Sequence, residues 1–200
     1  MSPTPMWFFF RGTGASWGFW ADAYYAAIKL IFEACTGAEI IDVKLTGGGL
    51  GRIDGTLVNV KQYVEKRHLA EPSRPVFMGG QSQGAVLAHE VTMCCEWVIG
   101  LIELVAPEQG SHLAHRFMPG VWREFAPGSE FTLGHGQRHK AWREAHPDFP
   151  ILVVWARLDL LIWPPRRACL PSAKNLALGY LWNHFTAPFN PQVWLELRRF

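Results

Sequence analysis

The stretch Pro75-Val76-Phe77-Met78-Gly79-Gly80-Gln81-Ser82-Gln83-Gly84-Ala85-Val86-Leu87-Ala88 decides the fold. Pro75 to Met78 reads as a short buried strand, Gly79 to Gly84 as a tight turn, and Ala85 to Cys95 as a helix. Gly80-Gln81-Ser82-Gln83-Gly84 has the form GxSxG. A sharp strand–turn–helix lifts the serine of such a motif above the edge of a sheet. It requires small residues at the positions of Gly80 and Gly84, because the backbone is strained and the helix packs close to the strand. A serine hydroxyl is a weak nucleophile until a base takes its proton and the developing oxyanion is stabilised. Ser82 is therefore the candidate nucleophile, and its partners must come from elsewhere in the chain.

Outward from this turn, apolar runs of strand length alternate with helical periodicity. Trp7 to Phe10 reads as a strand that ends in the loop Arg11-Gly12-Thr13-Gly14. Ala21 to Cys35 reads as a helix, Ile40 to Val43 as a strand and Leu57 to His68 as a helix. Further on, Val98 to Val105 and Ile151 to Trp155 read as strands, and Val193 to Phe200 as a terminal helix. This alternation predicts an α/β protein with a mainly parallel central sheet, helices on both faces, and one compact domain over 1–200. Residues 109–147 are more polar, with scattered Gly, Pro and His, and read as a cap or loop region with one or two short helices. Thr46 to Gly55 is glycine-rich but lacks the Gly-Lys-Ser/Thr of a phosphate loop, so a flexible surface loop is expected there.

The partners of Ser82 should follow in the order Asp/Glu, then His. Asp159 lies just beyond the strand Ile151 to Trp155, where a loop at the carboxyl edge presents it to the site, whereas Asp148 precedes that strand and belongs at the opposite edge. His184 is the only histidine after Asp159, and it is the candidate general base, oriented by Asp159. For the oxyanion, the backbone N–H of Gln83 at the helix start is one expected donor, helped by the helix dipole. Thr13, in the loop after the first strand, is the expected second donor, with its hydroxyl adding a further hydrogen bond.

Composition narrows the remaining classes. Of 200 residues 49% are hydrophobic and 18% charged, as in a globular domain. A net charge of +2 without a basic run gives no nucleic-acid partner. No CxxC spacing occurs among Cys35, Cys94, Cys95 and Cys169, and Cys94 and Cys95 lie in an apolar stretch that reads as buried. His112, His115, His135 and His139 have no HExxH-type carboxylate beside them, so they read as polar surface residues, with no metal site and no cofactor expected. Most of the ten tryptophans should be core, with some between Trp122 and Trp163 lining an apolar acyl pocket. No segment has the length of a membrane span, and Met1 to Phe10 lacks a signal peptide's basic region, so cytoplasmic synthesis is expected.

Arg11-Gly12-Thr13-Gly14 together with Gly79-Gly80-Gln81-Ser82-Gln83-Gly84-Ala85 resembles the cutinase-like serine esterases, which implies an α/β-hydrolase fold. That family has an Arg-Gly-Thr loop after its first strand and a Gly-Tyr-Ser-Gln-Gly-Ala elbow. Gln81 stands in place of the Tyr, a change expected to leave the mechanism untouched, and Gln83 matches the family's oxyanion residue. Within the group the chain also resembles the lysin B enzymes of phages, which hydrolyse the ester joining mycolic acids to arabinogalactan. The resemblance implies a lipophilic ester substrate, an acyl-enzyme and contact with a lipid-rich cell envelope at lysis. The long insertion that many of those enzymes carry between Asp and His is absent. The second half, through Ala106-Pro107-Glu108-Gln109-Gly110-Ser111, Pro127-Gly128-Ser129 and Leu170-Pro171-Ser172-Ala173, is similar to small bacterial lipases, which implies acylglycerols or simpler acyl esters. A binding protein that keeps the fold without catalysis is the third reading.

Overall fold

The computed structural model describes residues 3–13, 18–114 and 120–200; Gly14 of the first loop and His115 lie outside them. Among the described residues six strands form one sheet in the order β2-β1-β3-β4-β5-β6. They are β1 Met6–Phe10, β2 Glu39–Val43, β3 Val76–Gln81, β4 Val98–Leu104, β5 Ile151–Ala156 and β6 Lys174–Leu178, and every pairing is parallel. All five residues of β1 are buried, as a strand covered on both faces requires. β6 was not anticipated. It is an edge strand whose first residues, Lys174 and Asn175, are exposed, so it carries neither an apolar run nor a clean alternation.

Alternate residues of β1 serve opposite faces. Trp7 and Phe9 pack with Ile28 and Phe32 of α1 (Phe19–Thr36) and Val193 of α5 (Pro191–Leu197). Met6, Phe8 and Phe10 belong to the other core, with Val60 and Val64 of α2 (Ile53–Ala70) and Val86 and Leu87 of α3 (Gln83–Cys94). Helix α4 (Glu130–Ala145) covers this second face beside α3.

Within residues 109–147 the described residues hold a short helical turn at Gly120–Phe125 and the longer helix α4. Its N-cap Ser129 accepts a hydrogen bond from Thr132 N at 3.1 Å, and its 16 residues form a regular helix. The buried face of α4 is built from Thr132, His135 and His139, and this polar lining is what made the segment look like a cap. His135 and His139 are therefore buried residues and not surface ones, while His112 is exposed. Cys94 is exposed and only Cys95 of that pair is buried. The glycine-rich stretch also differs from the expected surface loop: Gly47, Gly48 and Gly49 take positive φ in a tight turn, with Gly48 and Gly49 buried. Trp7 is buried, Trp20 and Trp163 are exposed, and the other described tryptophans are half-buried.

The turn after β3 is as tight as its motif demands. Ser82 sits at φ 56°, ψ −128°, a region that costs a non-glycine residue energy and persists only when its surroundings impose it. A Cβ on Gly80 would lie 2.5 Å from the Gly84 carbonyl carbon, and one on Gly84 would collide with the carbonyl oxygens of Phe10 and Arg11. Gly84→Ala should therefore lower stability by about 3 kcal/mol or more, about 6–12 °C in Tm for a chain of this length. Thermal unfolding followed by circular dichroism checks it, and an unchanged Tm would show that the close approach is not real.

Candidate active site

Register brings the carboxyl ends of the strands level. Phe10 pairs with Gly80, Gln81 with Leu104, Leu104 with Val154, and Ala156 with Leu178. The loops that follow β1, β3, β5 and β6 therefore share one edge, and they carry Thr13, Ser82, Asp159 and His184 respectively. From β1 the chain crosses to β2 on one side, and from β3 it proceeds to β4, β5 and β6 on the other. Ser82 thus lies at the point where strand order reverses, the place where open α/β sheets form a crevice.

Asp159 and His184 meet in this edge. His184 Nδ1 donates to Asp159 Oδ2 at 2.9 Å, and both residues are buried. The other carboxylate oxygen, Oδ1, accepts from Leu161 N at 2.8 Å and Ile162 N at 3.0 Å. Three donors hold the carboxylate in one orientation, and the bond at Nδ1 leaves Nε2 as the histidine's basic atom. Asp148 lies in the turn before β5, at the far edge.

Gln83 is the first residue of α3, so its N–H has no acceptor within the helix and adds to the positive end of the dipole. Thr13 lies over it, but its hydroxyl donates to Gln83 Oε1. The expected extra hydrogen bond from that hydroxyl to an oxyanion is thus already committed elsewhere, and only the backbone N–H of Thr13 is left for that role. Gly49 completes the contact. A Cβ there would lie 2.6 Å from Gln83 Oε1, so the buried glycine turn is shaped by the Gln83 side chain.

Gln81 has a larger part than its place beside the motif serine suggested. Its Nε2 donates to His184 O at 2.8 Å and to Tyr24 Oη at 2.7 Å. Its Oε1 accepts from Tyr25 Oη at 3.0 Å, and the same phenol accepts from Gly12 N at 2.9 Å. Tyr24 Oη in turn donates to Phe185 O at 2.8 Å. One amide therefore ties the loop of His184, the turn of Ser82 and the loop of Thr13 together. Burial pushes the Tyr25 hydroxyl up to about 12 and raises that of Tyr24 as well, so both phenols keep their protons and their place in the network. Beneath it, Arg11 is buried and paired with Asp42 and Asp22, with its guanidinium 4.9 Å from the centre of the Tyr25 ring.

Replacing Gln81 would therefore remove a hydrogen bond that holds the backbone of His184. Gln81→Leu should still fold, at a lower Tm because buried partners lose their hydrogen bonds, and should lower kcat on a soluble ester about tenfold to a hundredfold, with KM nearly unchanged. Steady-state kinetics checks it, and a kcat equal to that of the parent would remove the positioning role.

The sequence matches no protein-family profile and no curated protein. Solved structures are similar in fold at low identity. Lipase B of Aspergillus fumigatus superposes with a TM-score of 0.75 at 16% identity, over 96% of this chain and 50% of that one. Est1E of Butyrivibrio proteoclasticus, solved with ferulic acid bound, has a TM-score of 0.70 at 13% identity, over 100% of this chain and 88% of that one. The esterase domain of a Rhodothermus marinus protein gives 0.65 at 14% identity, over 98% of this chain and 88% of that one. The six-stranded parallel sheet, its helices on both faces and these superpositions establish that the chain has the α/β-hydrolase fold.

Proposed function

We propose that the protein is a serine esterase that hydrolyses lipophilic carboxylic esters through an acyl-enzyme. The observation that carries the reading is the buried Asp159–His184 hydrogen bond, on a loop that Gln81 ties to the Ser82 turn. Ser82 Oγ attacks the ester carbonyl, and His184 Nε2 takes its proton. Asp159 holds the ring in the working tautomer and stabilises the imidazolium. The N–H groups of Gln83 and Thr13 receive the oxyanion, each donor of this kind being worth about 2.7–4 kcal/mol in the transition state. His184 then protonates the leaving alcohol, and water, activated by the same imidazole, releases the acid and restores Ser82. The chemistry asks for neither metal nor cofactor.

Exposed apolar side chains flank these loops and support a lipophilic substrate. Phe19 and Trp20 open α1 just after the first loop, Leu160 and Trp163 follow Asp159, and Leu181 and Phe185 bracket His184. Leu181 is 92% exposed and Trp20 82%, values that favour contact with an apolar surface or acyl chain over solvent. No helix among the described residues is long and apolar enough to cross a membrane. The resemblance to lysin B favours the mycolyl-arabinogalactan ester. The short path of 25 positions from Asp159 to His184 favours acylglycerols or simpler acyl esters instead.

A p-nitrophenyl ester series run beside a mycolated cell-wall extract separates these substrates. Each buried methylene should raise kcat/KM by roughly fourfold, from about 0.8 kcal/mol, until the acyl site is filled. A double variant, Leu181→Ser with Phe185→Ser, should keep its rate on the acetate ester and lose most activity on emulsified long-chain esters. Equal loss on both substrates would show that the rim serves the fold and not the lipid, and absence of hydrolysis across the series would overturn the esterase reading.

A further inference from the structure

A second cluster of chemistry-bearing residues, none of them used by the proposed triad, lies between α3, α4 and the end of β4. Glu103 is the last residue but one of β4, opposite Gly80 on one side and Val153 on the other, and is fully buried. His89, on α3, places Nδ1 2.7 Å from Glu103 Oε1 and 3.3 Å from Glu108 Oε2. His135, on α4, places Nε2 2.6 Å from the same Glu108 oxygen. One donor atom from each of His89, Glu108 and His135 lies within 4.8 Å of the others.

Hydrogen bonding among these groups is incomplete. His89 Nδ1, both oxygens of Glu103 and Glu108 Oε1 are buried with no hydrogen-bond partner, and the short His89–Glu103 approach is out of line for one. A buried carboxylate oxygen that accepts no hydrogen bond is expensive even where an imidazole lies beside the group. By contrast, the outward nitrogens of both histidines are well held. His135 Nδ1 donates to Glu90 Oε1 at 2.6 Å, and Arg138 clamps that carboxylate through Nη2 at 2.6 Å and Nε at 3.1 Å. His89 Nε2 is 2.9 Å from His139 Nδ1, and His139 Nε2 is 2.9 Å from Ser172 Oγ. A histidine whose outer N–H is tied to a carboxylate or another acceptor turns the lone pair of its inner nitrogen inward, which is the usual support of a metal-ligating imidazole.

We propose that His89 Nδ1, His135 Nε2, Glu103 and Glu108 bind one divalent transition-metal ion, zinc by preference. Two imidazoles and two carboxylates suit that ion, and two carboxylates neutralise its charge. Zinc–ligand bonds of about 2.0–2.2 Å put tetrahedral ligands about 3.3–3.6 Å apart; His89, Glu108 and His135 reach that spacing by small rotations, and Glu103, 2.7 Å from His89 Nδ1, must swing further to complete the set. Every ligand is buried, which makes the site closed and structural. It would bolt α3, the helix that begins at Ser82, to β4, to the loop after β4 and to α4. The proposal is independent of the esterase chemistry.

Dialysis of the chelator-treated protein against Zn2+, Co2+, Mn2+ or Ca2+, followed by elemental analysis, tests it. One Zn2+ or Co2+ per chain is expected, with a tetrahedral visible absorption for the Co2+ form. Tm should rise by about 10 °C on saturation with Zn2+. Glu103→Gln and His135→Gln should each lose the stoichiometric metal, and the measurements on the parent chain stand if either variant fails to fold. Substoichiometric metal with a Tm indifferent to metal and chelator would overturn the site and leave a proton-shared His/Glu network, and so would variants that bind as much Zn2+ as the parent.

Discussion

The close approach of α3 to the ends of β1 and β3 is the constraint on which the rest of the site depends. Gly80 and Gly84 leave no room for side chains between the nucleophile turn, the carbonyls of Phe10 and Arg11, and the start of the helix. That contact holds Ser82 at a positive φ and brings the first turn of α3 beside the loop after β1. The places of both proposed oxyanion donors and of the proposed nucleophile therefore follow from one packing decision. In the proposed mechanism the helix dipole falls on the atom where negative charge would develop, an electrostatic arrangement that needs no reorganisation during the reaction.

A second layer of order is polar. Asp159 is fixed by two backbone N–H groups and the imidazole of His184, while the backbone of His184 is fixed by Gln81. The tyrosines behind Gln81 link this layer to Gly12 and Phe185. Such a network is high-stakes inside a low-dielectric edge, because each unsatisfied member would cost more than a satisfied one contributes. It explains how three loops far apart in sequence hold one geometry without a disulfide; all four cysteines are free.

Much of this was legible in the amino-acid sequence. Buried parallel strands announce themselves as apolar runs, so β1, β2, β3, β4 and β5 stood out, and the GxSxG turn located Ser82. Topology alone separated Asp159 from Asp148, since residues after a strand and before it lie at opposite edges. What escaped notice was non-local. Gln81 meets Tyr25 across 56 positions and His184 across 103, distances that no periodicity encodes. The edge strand β6 lacks an apolar signature, and the inner face of α4 presents histidines where a core helix usually presents leucine or valine. His135 and His139 carry no sequence mark of burial for that reason; it is the packing of α4 against α3 that buries them.

The central claim is that Ser82 is an activated nucleophile, and covalent labelling tests it most directly. Incubation with a fluorophosphonate, followed by intact mass measurement and peptide mapping, should give one adduct per chain on Ser82. Ser82→Ala should give none, and Asp159→Asn should react far more slowly. A folded parent chain that takes up no label, or an adduct that persists in Ser82→Ala, would contradict the account.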